Sequence, residues 1–156
     1  KGSFKDVKVE EVVREIQNHD MYVLGNYIFG LPEDNLETMH DTLNMAIEMP
    51  TEHANFYACV ALPGSPIYHE AKKNSVDIPK HNEYEKFAFL SYEHVPLSTK
   101  YCSSAEVLSF RDKAWEKYFS NPIYLEFLHK RLGKIAKENV VEMSKIKLKR
   151  RILENI

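Results

Sequence analysis

The chain has 156 residues, of which 44% are hydrophobic and 28% are charged, and its formal net charge at pH 7 is -2. These values are typical of a soluble globular protein of about one domain, and they provide no general attraction to nucleic acid. No apolar run approaches the roughly 20 residues that span a bilayer, and the first residues lack the apolar segment of a signal peptide. We therefore expect a cytoplasmic protein with no membrane span and no nucleic-acid partner.

The cysteine and histidine content argues against a metal site within this sequence. The two cysteines, Cys59 and Cys102, are far apart in the chain, so they form neither a disulfide framework nor a metal-binding pair at short spacing. The seven histidines are scattered, without the close helical pairs of a zinc hydrolase. We predict no metal ligands and interpret both cysteines as buried small apolar residues.

The first half of the chain alternates helical and strand patterns. Val9, Val12, Val13 and Ile16 have the spacing of a helix that packs one face on a core, with Asp6 as its expected N-cap. Residues 21–29 are apolar on both faces and rich in β-formers, which is typical of a strand in a covered parallel sheet.

A second unit of the same kind follows at once. Asp34 and Glu37 have capping-box spacing and predict a helix that ends before Pro50. Residues 54–62 predict another strand, and the Pro63-Gly64-Ser65-Pro66 turn leads into a helix ending near Asn74. A βαβα segment implies an α/β fold with a parallel sheet, whose edges need partners. Since no other convincing strand follows and the chain begins without methionine, we interpret it as a fragment of a longer protein.

From about residue 80 the pattern changes to an aromatic loop followed by helices. Ser103 with Glu106 predicts a helix running to about Phe119, and Asn121-Pro122 predicts the start of another that ends at Gly133. Residues 134–154 have a weaker helical pattern and include a basic run at 145–151, which we interpret as a solvated helix end. We divide the chain into an α/β part, 1–79, and a mostly helical extension, 80–156.

Two motifs of the α/β part resemble a known superfamily. The order Ile28-x-Gly30-x-x-Glu33, followed by Pro63-Gly64-Ser65-Pro66-Ile67-Tyr68, is similar to the C-terminal half of a radical S-adenosylmethionine (radical SAM) barrel. More narrowly, NYIFGLPEDNLETM and LPGSPIYHEA resemble the branch of cobalamin-binding-domain enzymes and magnesium-protoporphyrin monomethyl ester oxidative cyclase-like proteins. The stretch VLSFRDKAWEKYFSNPIYLEFL is similar to the helical extension that follows the barrel in this branch.

The resemblance implies a fold, cofactors and site residues. It implies the last strands of a partial (β/α) barrel whose fifth and sixth strands hold the adenosyl group of SAM near a four-iron four-sulfur cluster. The cofactor-binding positions would be Asn26, Ile28, Gly30, Glu33 and Leu62, where Asn26 replaces the first glycine of the family motif. The extension would cover the substrate end, and a preceding domain could supply cobalamin.

The cluster ligands of this superfamily, Cys-x-x-x-Cys-x-x-Cys, are absent from the sequence. We therefore predict no catalytic residue in this chain and no activity of the chain alone. Its partners would be the missing N-terminal part of the barrel and a small-molecule substrate, whose identity the sequence does not select.

Simpler interpretations remain open at the same residues. Ile-x-Gly before Pro-Glu is also a plain strand exit, and Glu33 is equally suited to partner a helix dipole. A non-catalytic α/β interaction module would pair or dimerise through its exposed sheet edges. A different barrel enzyme that binds phosphate at its strand ends is the third alternative.

Overall fold

The computed structural model describes residues 7–154 and shows a mixed α/β fold built on a two-stranded parallel sheet. The elements in chain order are α1 Val9–Asn18, β1 Leu24–Phe29, α2 Leu36–Glu48, β2 His53–Ala58, α3 Pro66–Lys73, α4 Tyr84–Phe87, α5 Ser104–Phe119 and α6 Pro122–Ser144, followed by a 3-10 turn at Arg151–Leu153. The α/β class and the parallel pairing are confirmed. The predicted N-cap Asp6 lies outside the described residues.

The sheet has one covered face and one open face. The strands pair in register from Leu24 opposite His53 to Phe29 opposite Ala58, so residues at matching positions share a face. The covered face consists of buried side chains, namely Tyr27, Phe29, Ala54, Phe56 and Ala58. The open face carries Leu24, Asn26, Ile28, His53, Asn55 and Tyr57, which are exposed or half-buried.

Two helices, α2 and α5, pack on the covered face. The rings of Phe29 and Phe56 stack with centroids 5.8 Å apart, and Phe110 of α5 meets Phe29 edge-on at 5.1 Å. Helix α5 starts near the carboxyl end of β1 and reaches the amino end of β2, where Thr51 N–H donates to the Tyr118 hydroxyl at 3.4 Å. It therefore runs antiparallel to the strands, as helices do in βα units.

The aromatic residues of α5 and α6 form much of the core of the unit. Tyr118, Phe119 and Tyr124 are buried, and Trp115 and Phe127 pack against them. Helix α6 continues beyond Gly133, but that glycine has non-helical dihedrals, so the predicted end of a regular helix at this position is confirmed. These helices pack on the covered face; a cover over the substrate end stays a prediction.

The strands and the first helix differ from the sequence prediction. β1 begins at Leu24 rather than residue 21, and β2 ends at Ala58 rather than residue 62. β2 ends because the Cys59 carbonyl accepts a hydrogen bond from Leu97 N–H at 2.7 Å, so the chain leaves the ladder after its last bond from Cys59 N–H to Phe29. In α1 only Val13 is buried, so most of its apolar stripe has no cover within the described residues.

The interpretation of the basic run at 145–151 as a solvated helix end is also wrong in part. Arg150 is buried, and its guanidinium binds Asp112 of α5 and the carbonyls of Phe89 and Ser91. Arg151 pairs with Glu93 at 3.0 Å. The C-terminal segment is therefore anchored beside β2. Within residues 7–154 no helix has the length and apolar character needed to span a bilayer.

Candidate functional site

The loop that leaves β1 is fixed by a carboxylate that bonds back to it. Asp34 accepts hydrogen bonds from the N–H groups of Gly30 and Leu31, at 3.1 and 2.9 Å, and from the Thr38 hydroxyl at 2.9 Å. Because Asp34 is engaged with the loop, the N-cap of α2 is Asn35, whose side chain forms a capping box with Thr38. The predicted pair of Asp34 and Glu37 is thus wrong by one residue, although the motif type is right.

Gly30 is required by the backbone and by packing. Its φ is +81°, a left-handed conformation that favours glycine, and a Cβ at this position would lie 2.4 Å from Cγ1 of Val107. The glycine therefore allows α5 to approach the end of β1 closely. This packing role explains the residue without any ligand.

Asn26 and Ile28 lie on the open face of the sheet. The Asn55 amide donates to the Asn26 side-chain oxygen at 3.1 Å, which links the two strands across this face. Ile28, one pair further toward the carboxyl end, is 48% exposed. An apolar side chain is thus presented to solvent immediately before the loop that contains Gly30.

Leu62 follows the neighbouring strand at the same edge of the sheet. Because β1 and β2 are parallel, their carboxyl ends lie at one edge, where ligands of open α/β sheets bind. Leu62 is 51% exposed, and a short turn in which Ser65 N–H donates to the Leu62 carbonyl at 3.0 Å holds its backbone. The structure therefore places Ile28 near the end of β1 and Leu62 in the loop that leaves β2, both about half-exposed.

Residues 97–100, which carry no recognisable motif, form hydrogen bonds with both loops that leave the strands. Leu97 N–H donates to the Cys59 carbonyl at 2.7 Å, and Lys100 N–H donates to the Pro32 carbonyl at 2.9 Å. Residues 97–100 thus cross the carboxyl edge of the sheet. Pro96 was the only sequence signal here, and it indicates a turn rather than a tether between two loops.

Glu33 projects from the β1 exit loop into solvent. Its side chain is 81% exposed, and its nearest cation is Lys100, with Nζ 3.8 Å from a carboxylate oxygen. Such an exposed, loosely paired carboxylate is free to accept hydrogen bonds from a ligand. The same contact is equally a weak surface ion pair.

Apolar side chains and one carboxylate lie toward the carboxyl ends of the two strands, and the described residues contain no metal site. Ile28 and Leu62 offer apolar surface, and Glu33 offers an acceptor. Within residues 7–154 no three histidine, cysteine or acidic side chains cluster to hold a metal ion. Cys59 is buried, and burial together with the charge of Asp34 raises the pKa of its thiol, so it stays protonated. Cys102 is buried as well, as the sequence predicts.

The fold and the site define an α/β unit whose parallel strands end at an edge suited to ligand binding. Among known proteins, the chain is similar to the bacteriochlorophyllide d C-12(1)-methyltransferase of Chlorobaculum tepidum, with 26% identity over 96 residues. The similarity covers 62% of this chain but only 20% of that methyltransferase, so the chain corresponds to a small part of its length. No protein-family model and no solved structure matches the chain.

Proposed function

We propose that this chain is the C-terminal part of a radical SAM enzyme, in which β1 and β2 are the last two strands of the barrel. The observation that carries the proposal is that Ile28, near the end of β1, and Leu62, in the loop that leaves β2, are both about half-exposed toward the carboxyl ends of the parallel strands. These are the positions that the resemblance assigns to the adenosyl pocket. The similarity to a methyltransferase favours a methyltransferase-like parent over an oxidative cyclase-like one.

In this proposal the residues of the site would hold an adenosyl group. Ile28 and Leu62 would pack against the faces of the adenine ring, and Glu33 would accept a hydrogen bond from a ribose hydroxyl. Asn26, whose side-chain oxygen accepts a hydrogen bond from Asn55, would border the pocket on the open face, on the side toward the amino ends of the strands. Together these residues would orient the nucleoside and exclude water from one side of it.

The residues present do not fit the iron–sulfur cluster. A cluster needs converging thiolates, whereas Cys59 and Cys102 are both buried and no metal-ligand group occurs within residues 7–154. The cluster would therefore be bound by cysteines of the N-terminal part of the barrel. This chain would contribute binding and orientation only, and it would be inactive alone. A cobalamin-binding domain and a small-molecule substrate would likewise belong to the longer protein.

The test begins with the coding sequence upstream of Lys1, which should encode Cys-x-x-x-Cys-x-x-Cys about half a barrel earlier. The longer protein, reconstituted anaerobically with iron and sulfide, should then show cluster absorbance and release 5′-deoxyadenosine from SAM. The Ile28→Asn variant should weaken SAM binding by about tenfold, since it loses about 1.4 kcal/mol of apolar contact. Ile123→Asn, at an exposed position of α6, is the matched control and should bind SAM normally. A start codon directly before Lys1, or a reconstituted protein without cluster absorbance, would refute the proposal.

A second candidate function is supported by the outer edge of β1. The backbone groups of Leu24, Asn26 and Ile28 point away from β2 and form no hydrogen bond within residues 7–154. A non-catalytic interaction module would pair its partner, or a second copy of itself, along this edge. Sedimentation of the chain should then show concentration-dependent association that SAM does not change. Ile28→Lys should weaken the association, and Leu36→Lys, equally exposed on α2, should not.

A further inference from the structure

A cavity of about 540 Å³ lies along the outer edge of β2, between α5 and the segment that follows α6. We refer to it as the edge cavity. It is lined by residues 53–56 of β2, by Phe89 and Leu90, by one side of α5 and by residues 146–148. Its size is that of pockets that hold small organic molecules. None of the proposed adenosyl-binding residues lines it, so it is a separate site.

The walls of the edge cavity are largely apolar. They include the aromatic rings of Phe89 and Trp115 and the aliphatic side chains of Leu90, Ile146 and Leu148. Phe89 is held in place by an edge-on contact with Tyr57, with ring centroids 5.3 Å apart. An occupant therefore needs an apolar body.

One of the polar groups in the wall is a buried arginine with a spare donor. Arg111 is only 5% exposed; its Nε donates to the Phe56 carbonyl at 2.7 Å and its Nη1 donates to Asp112 at 2.8 Å. Its Nη2 forms no hydrogen bond to the described part of the chain. A buried guanidinium with an unused N–H group is suited to receive an anionic oxygen.

The charge beside the cavity is not balanced. Asp112, which also lines the cavity, is bonded to two buried guanidinium groups, those of Arg111 and Arg150, and is their only carboxylate partner within residues 7–154. His94 does not add to this positive charge, because burial and the charge of Arg150 lower its pKa to about 4 and keep the ring neutral at pH 7. Since buried charges are normally paired, the excess positive charge favours an anion here.

The rim has the same sign. Lys113 and Lys147 both line the cavity, and Lys147 is paired with Glu116 at 3.5 Å. Within residues 7–154 Lys113 forms no ion pair, so one cation at the entrance is available to an incoming anion.

We propose that the edge cavity binds a small organic carboxylate with an aromatic or branched aliphatic body. The proposed barrel function does not require such a ligand. Its carboxylate would bind Arg111 and its body would contact the apolar wall. A third strand added to β2 is a poorer occupant, because Arg111 already uses the Phe56 carbonyl that such a strand would need.

The test compares phenylbutanoate with its neutral amide, phenylbutanamide, on the whole chain. Binding is measured by the emission of Trp115, the one tryptophan of the chain, which lines the cavity. We expect the acid to bind about tenfold more tightly than the amide, since a hydrogen bond from a guanidinium to a carboxylate is stronger than one to a neutral amide. Equal binding of acid and amide, or no binding of either up to their solubility limits, would overturn the proposal.

Variants locate the site. Arg111→Gln should abolish the preference for the acid, provided that its near-ultraviolet circular dichroism shows a folded chain. Should that variant not fold, Lys113→Gln decides: it should weaken acid binding by about twofold to fivefold at low salt, and less at high salt. Lys117→Gln, one turn away on α5 and equally exposed, is the matched control and should bind the acid normally. Equal effects of the two lysine substitutions would place the anion elsewhere and overturn the proposal.

Discussion

The two edges of the sheet are finished differently. At the outer edge of β2, Arg111 donates to the Phe56 carbonyl and the anchored C-terminal segment lies alongside. At the outer edge of β1, the backbone groups of Leu24, Asn26 and Ile28 are unpaired within residues 7–154. Isolated proteins usually protect such an edge with charge, proline or a bulge, but here two of the three side chains are apolar and about half-exposed. The contrast fits the proposals made above, in which a further strand, of the barrel or of a second molecule, pairs with β1.

Helix α1 shows a similar contrast in burial. Val9 and Val12 are 53% and 46% exposed, so a helix with a clear apolar stripe leaves much of it in water. By comparison, Tyr118, Phe119 and Tyr124 on the covered side are almost completely buried. Unsatisfied apolar surface and an unpaired edge thus occur in the same N-terminal elements, which fits the proposal that further barrel strands and helices cover them.

The largest expected effect follows from the difference between the covered and open faces. Phe56→Ala removes a fully buried ring that contacts Phe29, Tyr118 and Phe119, and it should lower the free energy of unfolding by about 3–5 kcal/mol. Leu24→Ala, on the open face, should lower it by less than about 1 kcal/mol. Urea denaturation of the two variants measures both values, and similar losses would show that the open face is covered as well.

A buried histidine, His94, should also make stability depend on pH. His94 is 1% exposed, and its pKa is lowered from 6.5 to about 4, first by burial and then by the charge of Arg150. Between these two values the unfolded chain binds a proton that the native chain does not, so stability should fall as pH falls from about 6.5 to 4. The total loss from this group should be about 3 kcal/mol.

The measurement is the free energy of unfolding as a function of pH for the parent chain and for His94→Gln. The variant should lose less stability on acidification, whatever its stability at neutral pH. His69→Gln, at an exposed position, should follow the parent curve. Parallel curves for the parent and His94→Gln would mean that the histidine is accessible to protons in the native state.

Local chemistry made much of this fold predictable from the sequence. Three helix ends were predictable because the residues at each end determine it. Helix α5 begins at the capping box of Ser103 and Glu106, and α6 begins at Asn121 before Pro122. The regular helix is interrupted at Gly133 by its non-helical dihedral angles. The end of β2 was not predictable, because Leu97 takes the Cys59 carbonyl from far along the chain. The burial of Arg150 was missed for the same reason, since Asp112 and two loop carbonyls are its partners.

The candidate site was predicted only in part. Ile28 lies near the end of β1 and Gly30 directly follows that strand, as expected, whereas Leu62 lies in a loop beyond the end of β2 at Ala58. The close contact between Gly30 and Val107 could not be anticipated, because no periodicity indicates which helix lies over a given strand end.

A comparison of substitutions at Gly30 and Gly64 distinguishes the effect of packing at the end of β1 from the effect of backbone strain. Gly30→Ala introduces both a left-handed alanine and a Cβ 2.4 Å from Val107, whereas Gly64→Ala, at φ +86°, meets nothing within 4 Å. Strain alone should reduce stability by about 1 kcal/mol, and the clash should add about 1–3 kcal/mol at Gly30 only. Thermal or urea unfolding of both variants gives the difference. Equal losses would mean that α5 moves away at little cost and does not fix the end of β1.

The smallest expected effect is the most informative for the open face. Ile28→Ala and Leu62→Ala should each change the free energy of unfolding by less than about 1 kcal/mol, because both side chains are about half-exposed. An apolar side chain that contributes so little to the fold is available for contact with something outside it, either a ligand or the next strand. In the longer protein the same substitutions should therefore weaken SAM binding while the unfolding curve hardly moves. A loss of about 2 kcal/mol or more in the chain alone would show that these residues are already packed, and the difference between the two sides of the sheet would then no longer hold.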